Sequence, residues 1–295
     1  MNMKPLFKYI PVIFVILFFI SLPCKGNGHT DYVKHGVEAD SSAAEYAINI
    51  TGTSGNISAI AYHPDLRSGE TCPMVILMHG FMSDKQDRLI NVVADKLRQS
   101  NIAYIRFDFN GHGESEGDFR NMTVINEIED AQRVYEYVRT LDFVSEVALL
   151  GHSQGGVVAG MLAGKLGAER ISRLVLMAPA AVLRDNALKG IMFGVRYDPD
   201  HIPEYVTVSG HQVGRAYLQT AKDLPIYETT AQYTGPVCVI HGTADNVVPY
   251  AYGARYGVGN EKVAVHLIQG DDHAFSRHLD EATAMAAKFL AGSSR

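Results

Sequence analysis

The chain has 295 residues, of which 47% are hydrophobic and 20% are charged, so it is long enough for a globular domain with a sizeable core. Its formal net charge of −6 argues against nucleic acid or an acidic membrane surface as a partner. No internal repeat, low-complexity segment or lysine- and arginine-rich patch is evident.

The N-terminal residues have the pattern of a secretory signal peptide. Two lysines precede an apolar run, Tyr9–Leu22, which is short for a membrane span and is followed by small residues. We therefore expect residues 1–27 to be removed on export to the periplasm or the medium, and residues 28–295 to form the folded domain. An uncleaved anchor or a lipid-modified Cys24 is the alternative.

Hydrophobic periodicity predicts strands that alternate with helices. Apolar runs predict a hairpin within 45–62 and strands at 73–78, 103–108, 147–150, 171–177, 237–240 and 263–268. Helical patterns cover 90–97, 123–140 with Thr123 as N-cap, 157–166 and 274–291. This alternation predicts a mostly parallel sheet flanked by helices. Residues 181 to about 230 interrupt it and predict a small inserted cap over the strand ends.

The pentapeptide Gly151-His-Ser-Gln-Gly155 lies between a predicted strand and a predicted helix. The pattern Gly-x-Ser-x-Gly in that position is typical of a nucleophile elbow, a tight turn that lifts the hydroxyl of Ser153 above the sheet. Side chains at Gly151 and Gly155 would collide with neighbouring backbone. A chance match is the alternative, and the order strand, turn, helix argues against it.

Two partners for Ser153 follow it in the order acid, then histidine. Asp245 and His273 each come after a late predicted strand, so they share a sheet edge with the serine. We predict that His273 is the general base and that Asp245 orients it. Of the twelve histidines, only His273 has both this order and this position. Asp271 and Asp272 are weaker alternatives to Asp245 because they lie close to His273 in sequence.

An acyl-transfer site also needs donors for the oxyanion. We expect these to be the backbone N–H of Gln154, the residue after the nucleophile, and of Phe81, in the loop after the first core strand. The Phe81 ring is a candidate wall of the acyl pocket. We expect His79 and Asp108 to hold loops by hydrogen bonds and His152 to point away from the reaction centre.

Cysteine usage leaves two interpretations open. Cys72 and Cys238 each start a predicted core strand, so they are either a disulfide of an exported protein or buried small apolar residues. Their spacing is not that of a metal site, and the chain implies no metal and no cofactor.

Several motifs together resemble the α/β-hydrolase superfamily and, more narrowly, the bacterial feruloyl (cinnamoyl) esterases. They are His79-Gly-Phe81, Gly151-His-Ser-Gln-Gly-Gly156, His241-Gly-Thr-Ala-Asp245, Gly270-Asp-Asp-His-Ala-Phe275 and, in the predicted cap, Tyr197-Asp-Pro-Asp-His-Ile-Pro203 and Leu224-Pro-Ile-Tyr-Glu228. The resemblance covers residue 45 to the end. It implies an α/β-hydrolase fold, with a mostly parallel central sheet, flanking helices and a small inserted cap.

The resemblance also implies substrate contacts in the cap. Tyr217 occupies the position of a family tyrosine that contacts the hydroxycinnamoyl ring, with a purely structural role as the alternative. Asn186 and Phe193 occupy two further polar positions of the family. An amide and a phenyl ring cannot ionise as an acid would, so this chain departs from the family where ferulate, caffeate and coumarate esters are distinguished.

The expected function is therefore that of an exported serine esterase that releases hydroxycinnamic acids from plant polysaccharide or small esters through an acyl-enzyme. One alternative is another acyl hydrolase, such as an acetyl or medium-chain esterase, a lipase-like enzyme or a peptidase. The other is a non-catalytic carbohydrate- or partner-binding protein. A homodimer is an open alternative.

Overall fold

The structure is a computed structural model that describes residues 44–292. The signal peptide predicted for residues 1–27, with Cys24, lies outside the described residues and stays a prediction. The described strands are β1 (Tyr46–Thr51), β2 (Asn56–Tyr62), β3 (Cys72–Met78), β4 (Ala103–Phe107), β5 (Val144–His152), β6 (Leu174–Met177), β7 (Ile191–Met192), β8 (Val195–Arg196), β9 (Tyr205–Val208), β10 (His211–Gly214), β11 (Val237–Gly242) and β12 (Val263–Ile268). The helices are α1 (Arg88–Gln99), α2 (Val124–Val138), α3 (Gln154–Leu166), α4 (Val182–Leu188), α5 (Arg215–Ala221), α6 (Ile226–Thr230), α7 (Ala251–Arg255) and α8 (Leu279–Leu290).

Eight of these strands form one sheet in the order β1-β2-β4-β3-β5-β6-β11-β12. Strand β2 is antiparallel to both of its neighbours, and every pair from β4 to β12 is parallel. Helices cover both faces. The predicted α/β-hydrolase fold is therefore confirmed.

The central strands are apolar along their whole length because both of their faces are covered. Successive side chains of a strand point to opposite faces. In β3, Met74, Ile76 and Met78 pack in a core with residues of α2 and α3, whereas Val75 and Leu77 pack in a second core with residues of α1 and α8. Because these strands are parallel, their carboxyl ends lie at one edge of the sheet, where the loops that follow them can converge.

Side chains cap two of the helices on either side of the sheet. The carboxylate of Asp87 accepts hydrogen bonds from the backbone N–H of Leu89 and Ile90 at the start of α1. The hydroxyl of Thr123 accepts one from Asn126 at the start of α2, as the sequence predicted. Such caps satisfy N–H groups that have no partner within the helix.

The last helix begins later than its periodicity predicted. It was predicted from residue 274, but α8 begins at Leu279. The carboxylate of Asp271 accepts hydrogen bonds from the backbone N–H of Arg277 and His278, over 3.2 and 3.1 Å. These bonds hold the chain in turns before the helix can start. Asp271 is thus engaged in holding its own loop.

The segment predicted as a cap contains α4, α5, α6 and two short hairpins. Strand β7 pairs with β8 and β9 with β10, both antiparallel, and within residues 44–292 neither pair joins the main sheet. The guanidinium of Arg120, in the turn before α2, forms an ion pair with Glu204 of this segment. The backbone of Gly214 lies so close to the carbonyl of Arg120 that a Cβ there would be 2.1 Å from the oxygen.

The two described cysteines, Cys72 and Cys238, are buried and free. Strands β3 and β11, which carry them, are separated by β5 and β6, which is about 14 Å at the usual spacing between strands. A disulfide requires Cα atoms within about 7 Å of each other. The alternative of small buried apolar residues is therefore the one that the structure supports.

No helix between residues 44 and 292 has the length and apolar character needed to cross a bilayer.

Candidate active site

Ser153 lies at the sharp turn between β5 and α3, with a left-handed backbone angle φ of 56°. Two glycines make the turn possible. A Cβ on Gly151 would lie 2.0 Å from the carbonyl oxygen of Gly155, and a Cβ on Gly155 would lie 2.3 Å from that of His79. These distances are far inside van der Waals contact, so the collisions predicted from the sequence would occur.

The three residues predicted as nucleophile, base and acid meet at this turn. The Nε2 atom of His273 lies 2.9 Å from the Oγ atom of Ser153, and its Nδ1 atom lies 2.7 Å from Oδ2 of Asp245. Since a carboxylate only accepts, Nδ1 carries the proton and Nε2 is free to accept the proton of the serine hydroxyl. The side chain of His273 is 16% exposed, whereas that of Asp245 is fully buried.

Asp245 is held by four donors, of which only His273 was predicted from the sequence. Its Oδ1 atom accepts from the backbone N–H of Val247 and Val248, each over 2.8 Å. The Nε2 atom of His241 lies 3.0 Å from Oδ2. Burial alone would raise the pKa of Asp245, but the hydrogen bonds from His241 and His273 outweigh it and hold the pKa well below its ordinary value. Asp245 therefore stays ionised and can stabilise a protonated His273.

The loop after β3 brings a backbone donor close to Ser153. A Cβ on Gly80 would lie 3.1 Å from the Cβ of Ser153, so the loop passes directly beside the serine. His79 accepts the backbone N–H of Phe109 at Nε2, so Nδ1 donates to the carbonyl of Gly80 over 2.8 Å. The N–H of a trans peptide points opposite to its carbonyl. Fixing the Gly80 carbonyl therefore fixes the direction of the Phe81 N–H.

Both predicted oxyanion donors are available. In the part of the chain that the structure describes, the backbone N–H groups of Phe81 and Gln154 donate to no other group. The N–H of Gln154 also opens α3, where the helix dipole favours negative charge. The expected role of His79, which was to hold the loop, agrees with its two hydrogen bonds.

The expectation that His152 points away from the reaction centre is wrong. Its Nε2 atom lies 3.0 Å from the carbonyl oxygen of His273, and the two rings are 5.0 Å apart. Burial and the nearby charge of His273 lower the pKa of His152 to about 4. A neutral His152 therefore donates to the backbone that carries His273. The elbow thus holds the histidine loop as well as the serine.

A cavity of about 290 Å³ opens beside Ser153. Its walls come from the loop after β3, from the elbow, from the loop after β6, from the predicted cap and from the loop after β11. The lining residues are Phe81, Ser153, Gln154, Ala180, Val182, Leu183, Asn186, Ala187, Ile191, Met192, Phe193, Gly194, Tyr197, Tyr217, Leu218, Asn246, Val247 and Val248. None of these lining residues carries a charge. All three predicted cap contacts, Tyr217, Asn186 and Phe193, lie in this wall.

Aromatic rings form one side of the cavity. The ring of Phe193 stacks on that of Phe81, with centroids 5.2 Å apart and planes inclined by 17°. Phe193 is 52% exposed and has a φ of 46°, so the turn between β7 and β8 holds it out over Phe81. The ring of Tyr217 lies 5.8 Å from that of Phe81, and Tyr217 is buried.

The hydroxyl of Tyr217 is already used by the protein. It donates to Oε1 of Gln154 over 2.7 Å, and Nε2 of Gln154 donates to Oε2 of Glu127 over 2.8 Å. Glu127 was missed in the sequence analysis. It could have been recognised as an acid next to the apolar positions 124, 128 and 131, which lie on the buried face of α2.

Asp108, another acid named in the sequence analysis, has a structural role. Asp108 accepts the backbone N–H of Lys85 and of Glu114, and its Oδ2 atom lies 2.6 Å from Nζ of Lys85. This agrees with the expected role of Asp108 in satisfying loop N–H groups.

Within residues 44–292, no three His, Cys, Asp or Glu side chains are grouped so that they could hold a metal ion.

Residues 69–197 match the family described as serine aminopeptidase, S33. The structure superposes on the ferulic acid-bound Est1E from Butyrivibrio proteoclasticus with a TM-score of 0.79, at 29% identity, over 83% of this chain and 98% of the other. The chain is an α/β serine hydrolase. The arrangement of Ser153, His273 and Asp245 is the one that this class uses for acyl transfer.

More distant structures share the fold of this hydrolase. A hydrolase from Agrobacterium vitis is 24% identical over 84% of this chain and 99% of its own, with a TM-score of 0.66. A serine hydrolase without lid from Xanthomonas campestris is 20% identical over 84% of this chain and 94% of its own, with a TM-score of 0.59. At these identities the likeness extends to the fold alone.

Proposed function

We propose that this hydrolase is a carboxylic-ester hydrolase that releases hydroxycinnamic acids, such as ferulic acid, from their esters. The observation that carries the proposal is the uncharged cavity of about 290 Å³ beside Ser153, with aromatic side chains in its wall. This volume is near the lower end of the range for small-molecule sites, about 300–1,000 Å³. It suits one substituted ring, whose binding is stabilised by packing against other aromatic rings. The 29% identical Est1E is a relative with ferulic acid bound.

The reaction would run through an acyl-enzyme. His273 takes the proton of Ser153 as Oγ bonds to the ester carbon, and the carbonyl electrons move to the oxygen, which the N–H groups of Phe81 and Gln154 stabilise. The intermediate expels the alcohol, which receives the proton from His273. Water, deprotonated by His273, then attacks the acyl-enzyme, and the acid leaves as the serine regains its proton. Asp245 stabilises the imidazolium in both halves.

A second candidate is an esterase for short or medium aliphatic acyl groups. The aliphatic side chains in the cavity wall, among them Val182, Ile191 and Leu218, would hold an alkyl chain as well as a ring. An aminopeptidase is less well supported. Recognition of a substrate ammonium group calls for a carboxylate, and none of the described lining residues supplies one.

Export and the natural substrate are further parts of the proposal. The pattern of residues 1–27 supports export, and an exported enzyme would meet hydroxycinnamate esters on plant polysaccharide. Fractionation of cells that produce the whole chain, with the mass of the mature protein, tests this. A full-length protein retained in the cytoplasm would contradict export.

The substrate is tested by comparing kcat/KM for methyl ferulate and for p-nitrophenyl butyrate. We expect methyl ferulate to be hydrolysed and preferred, and Ser153→Ala to abolish hydrolysis of both esters. Negligible hydrolysis of methyl ferulate by a protein that turns over the butyrate would refute the hydroxycinnamate proposal and favour the second candidate.

A further inference from the structure

A chain of three buried polar side chains runs behind Ser153, from the predicted cap into the core. Tyr217 on α5 is 3% exposed, and Gln154 and Glu127 are each 2% exposed. The two hydrogen bonds of 2.7 and 2.8 Å satisfy both the carbonyl and the amino group of the Gln154 side chain. Neither bond is needed to build a helix or a strand.

The middle residue of this chain is also the proposed oxyanion donor. A donor is effective only if its direction is fixed before the charge develops. We propose that Glu127 and Tyr217 are positioning residues, which fix the Gln154 N–H by holding both polar atoms of the Gln154 side-chain amide. This role rests on the proposed ester hydrolysis at Ser153. It also links the placement of α5 to a complete oxyanion site.

The charge of Glu127 matters because the oxyanion forms nearby. Burial, with the neighbouring charge of Asp130, raises the pKa of Glu127 to about 8, against the hydrogen bond from Gln154. The other titratable groups around it are His112, whose Nε2 is 4.0 Å from Oε1, and Tyr217. Burial and the nearby charge of His79 lower the pKa of His112 to about 3, so His112 brings no positive charge.

A neutral Glu127 accepts the hydrogen bond from Gln154 without repelling the oxyanion. If Glu127 ionised, a buried negative charge would be separated from the oxyanion by little more than the residue Gln154. At an effective dielectric constant of about 20, two like charges within about 10 Å of each other repel enough to slow a reaction roughly ten-fold. The rate of acyl transfer should therefore fall as Glu127 ionises.

The test uses p-nitrophenyl acetate, whose acetyl group offers no ring for Tyr217 to contact. kcat and KM are measured from about pH 6 to pH 10 for the wild type, Glu127→Gln, Tyr217→Phe and the control Glu129→Gln, which removes an exposed acid from the same helix. We expect kcat of the wild type and of Glu129→Gln to fall about ten-fold above pH 8. This fall should be absent in Glu127→Gln, and Tyr217→Phe should lower kcat several-fold with little change in KM.

Two results would overturn the inference. One is a Glu127→Gln enzyme with the same alkaline fall in kcat as the wild type. The other is a Tyr217→Phe enzyme with wild-type kcat on the acetate, which would leave Tyr217 as a contact for aromatic acyl groups alone. A wild-type protein without activity on any ester would refute the proposed function itself, so the two failures are distinguishable.

A readout without substrate guards against variants that fold poorly. In wild-type protein with 13C-labelled glutamate carboxyl groups, we expect one resonance to titrate near pH 8 and to be missing from Glu127→Gln. If no glutamate titrates well above the ordinary range near 4.5, the neutral form of Glu127 is disproved.

Discussion

At the scale of single residues, each member of the candidate triad is held by contacts on several sides. Ser153, Asp245 and His273 could be predicted because carboxyl ends of parallel strands share one edge and the order of the three residues is typical of this fold. His241 and His152 could not, since their contacts depend on how two loops return to the sheet. Their hydrogen bonds to Asp245 and to the His273 backbone are the support that the sequence did not reveal.

Replacing Asp245 by asparagine should reduce kcat for an ester by roughly 10,000-fold, as the amide would favour the wrong tautomer of His273. KM should change little, because Asp245 is not among the residues that line the cavity. Steady-state kinetics on methyl ferulate or a p-nitrophenyl ester provide the measurement. Asp272→Asn is the matched control, since the Asp272 carboxylate accepts hydrogen bonds from residues of its own loop, among them the backbone N–H groups of Ala274 and Ser276. A larger loss of kcat in Asp272→Asn than in Asp245→Asn would show that Asp245 is not the acid that orients His273.

At the scale of elements, the strand, turn and helix of the elbow could be predicted because apolar periodicity and paired glycines specify them locally. The rotation of α2 and α5 about their own axes could not be predicted as reliably. It decides that Glu127 and Tyr217 both face Gln154, and it depends on packing between segments that are distant in sequence. The late start of α8 has a similar cause, since it depends on hydrogen bonds to Asp271.

The elbow predicts a sharp difference between two glycine substitutions. Gly155→Ala places a methyl group 2.3 Å from the His79 carbonyl, so the turn must open and the serine must move. Gly259 has a φ of 72° but no atom within 4 Å, so its alanine variant carries only the backbone cost, about 1–2 kcal/mol. We expect Gly155→Ala to lose activity and far more unfolding free energy in urea than Gly259→Ala. Equal stability losses would contradict the close packing of the elbow.

At the scale of the whole molecule, the architecture was predictable and the surface of the pocket was not. Alternating strands and helices specify a doubly covered parallel sheet. The segment of residues 181 to 230 is built from short helices and two-residue to four-residue strands, whose patterns are too short to specify an arrangement. The stacking of Phe193 on Phe81 could therefore not be predicted from the sequence, and only the structure reveals it.

The stability of the molecule should depend on pH through its buried titratable groups. Folded Glu127 keeps its proton up to about pH 8, whereas the unfolded chain releases it near 4.5, so its contribution to stability falls as pH rises between these values. His112 and His152, with folded pKa values of about 3 and about 4 against 6.5 unfolded, act in the opposite direction below pH 6.5. Burial also lowers the pKa of His79, which acts in the same direction. We therefore expect the unfolding free energy to peak near neutral pH.

Urea unfolding at several pH values tests this dependence. Above pH 6.5 the raised pKa of Glu127 should lower the unfolding free energy by at most about 1.4 kcal/mol per pH unit. The substitution Glu127→Gln should remove that fall. Glu129→Gln should retain it. A stability that is flat from pH 6.5 to 8 in the wild type would mean that Glu127 is ionised in the folded protein.

The central claim is that Ser153 is the nucleophile and that His273 activates it. It is tested most directly by treating the protein with a fluorophosphonate and locating the adduct by peptide mass spectrometry. We predict a single adduct on Ser153, absent from Ser153→Ala and formed at a greatly reduced rate in His273→Ala. An adduct on another residue, or labelling of Ser153 at an unchanged rate without His273, would contradict the account.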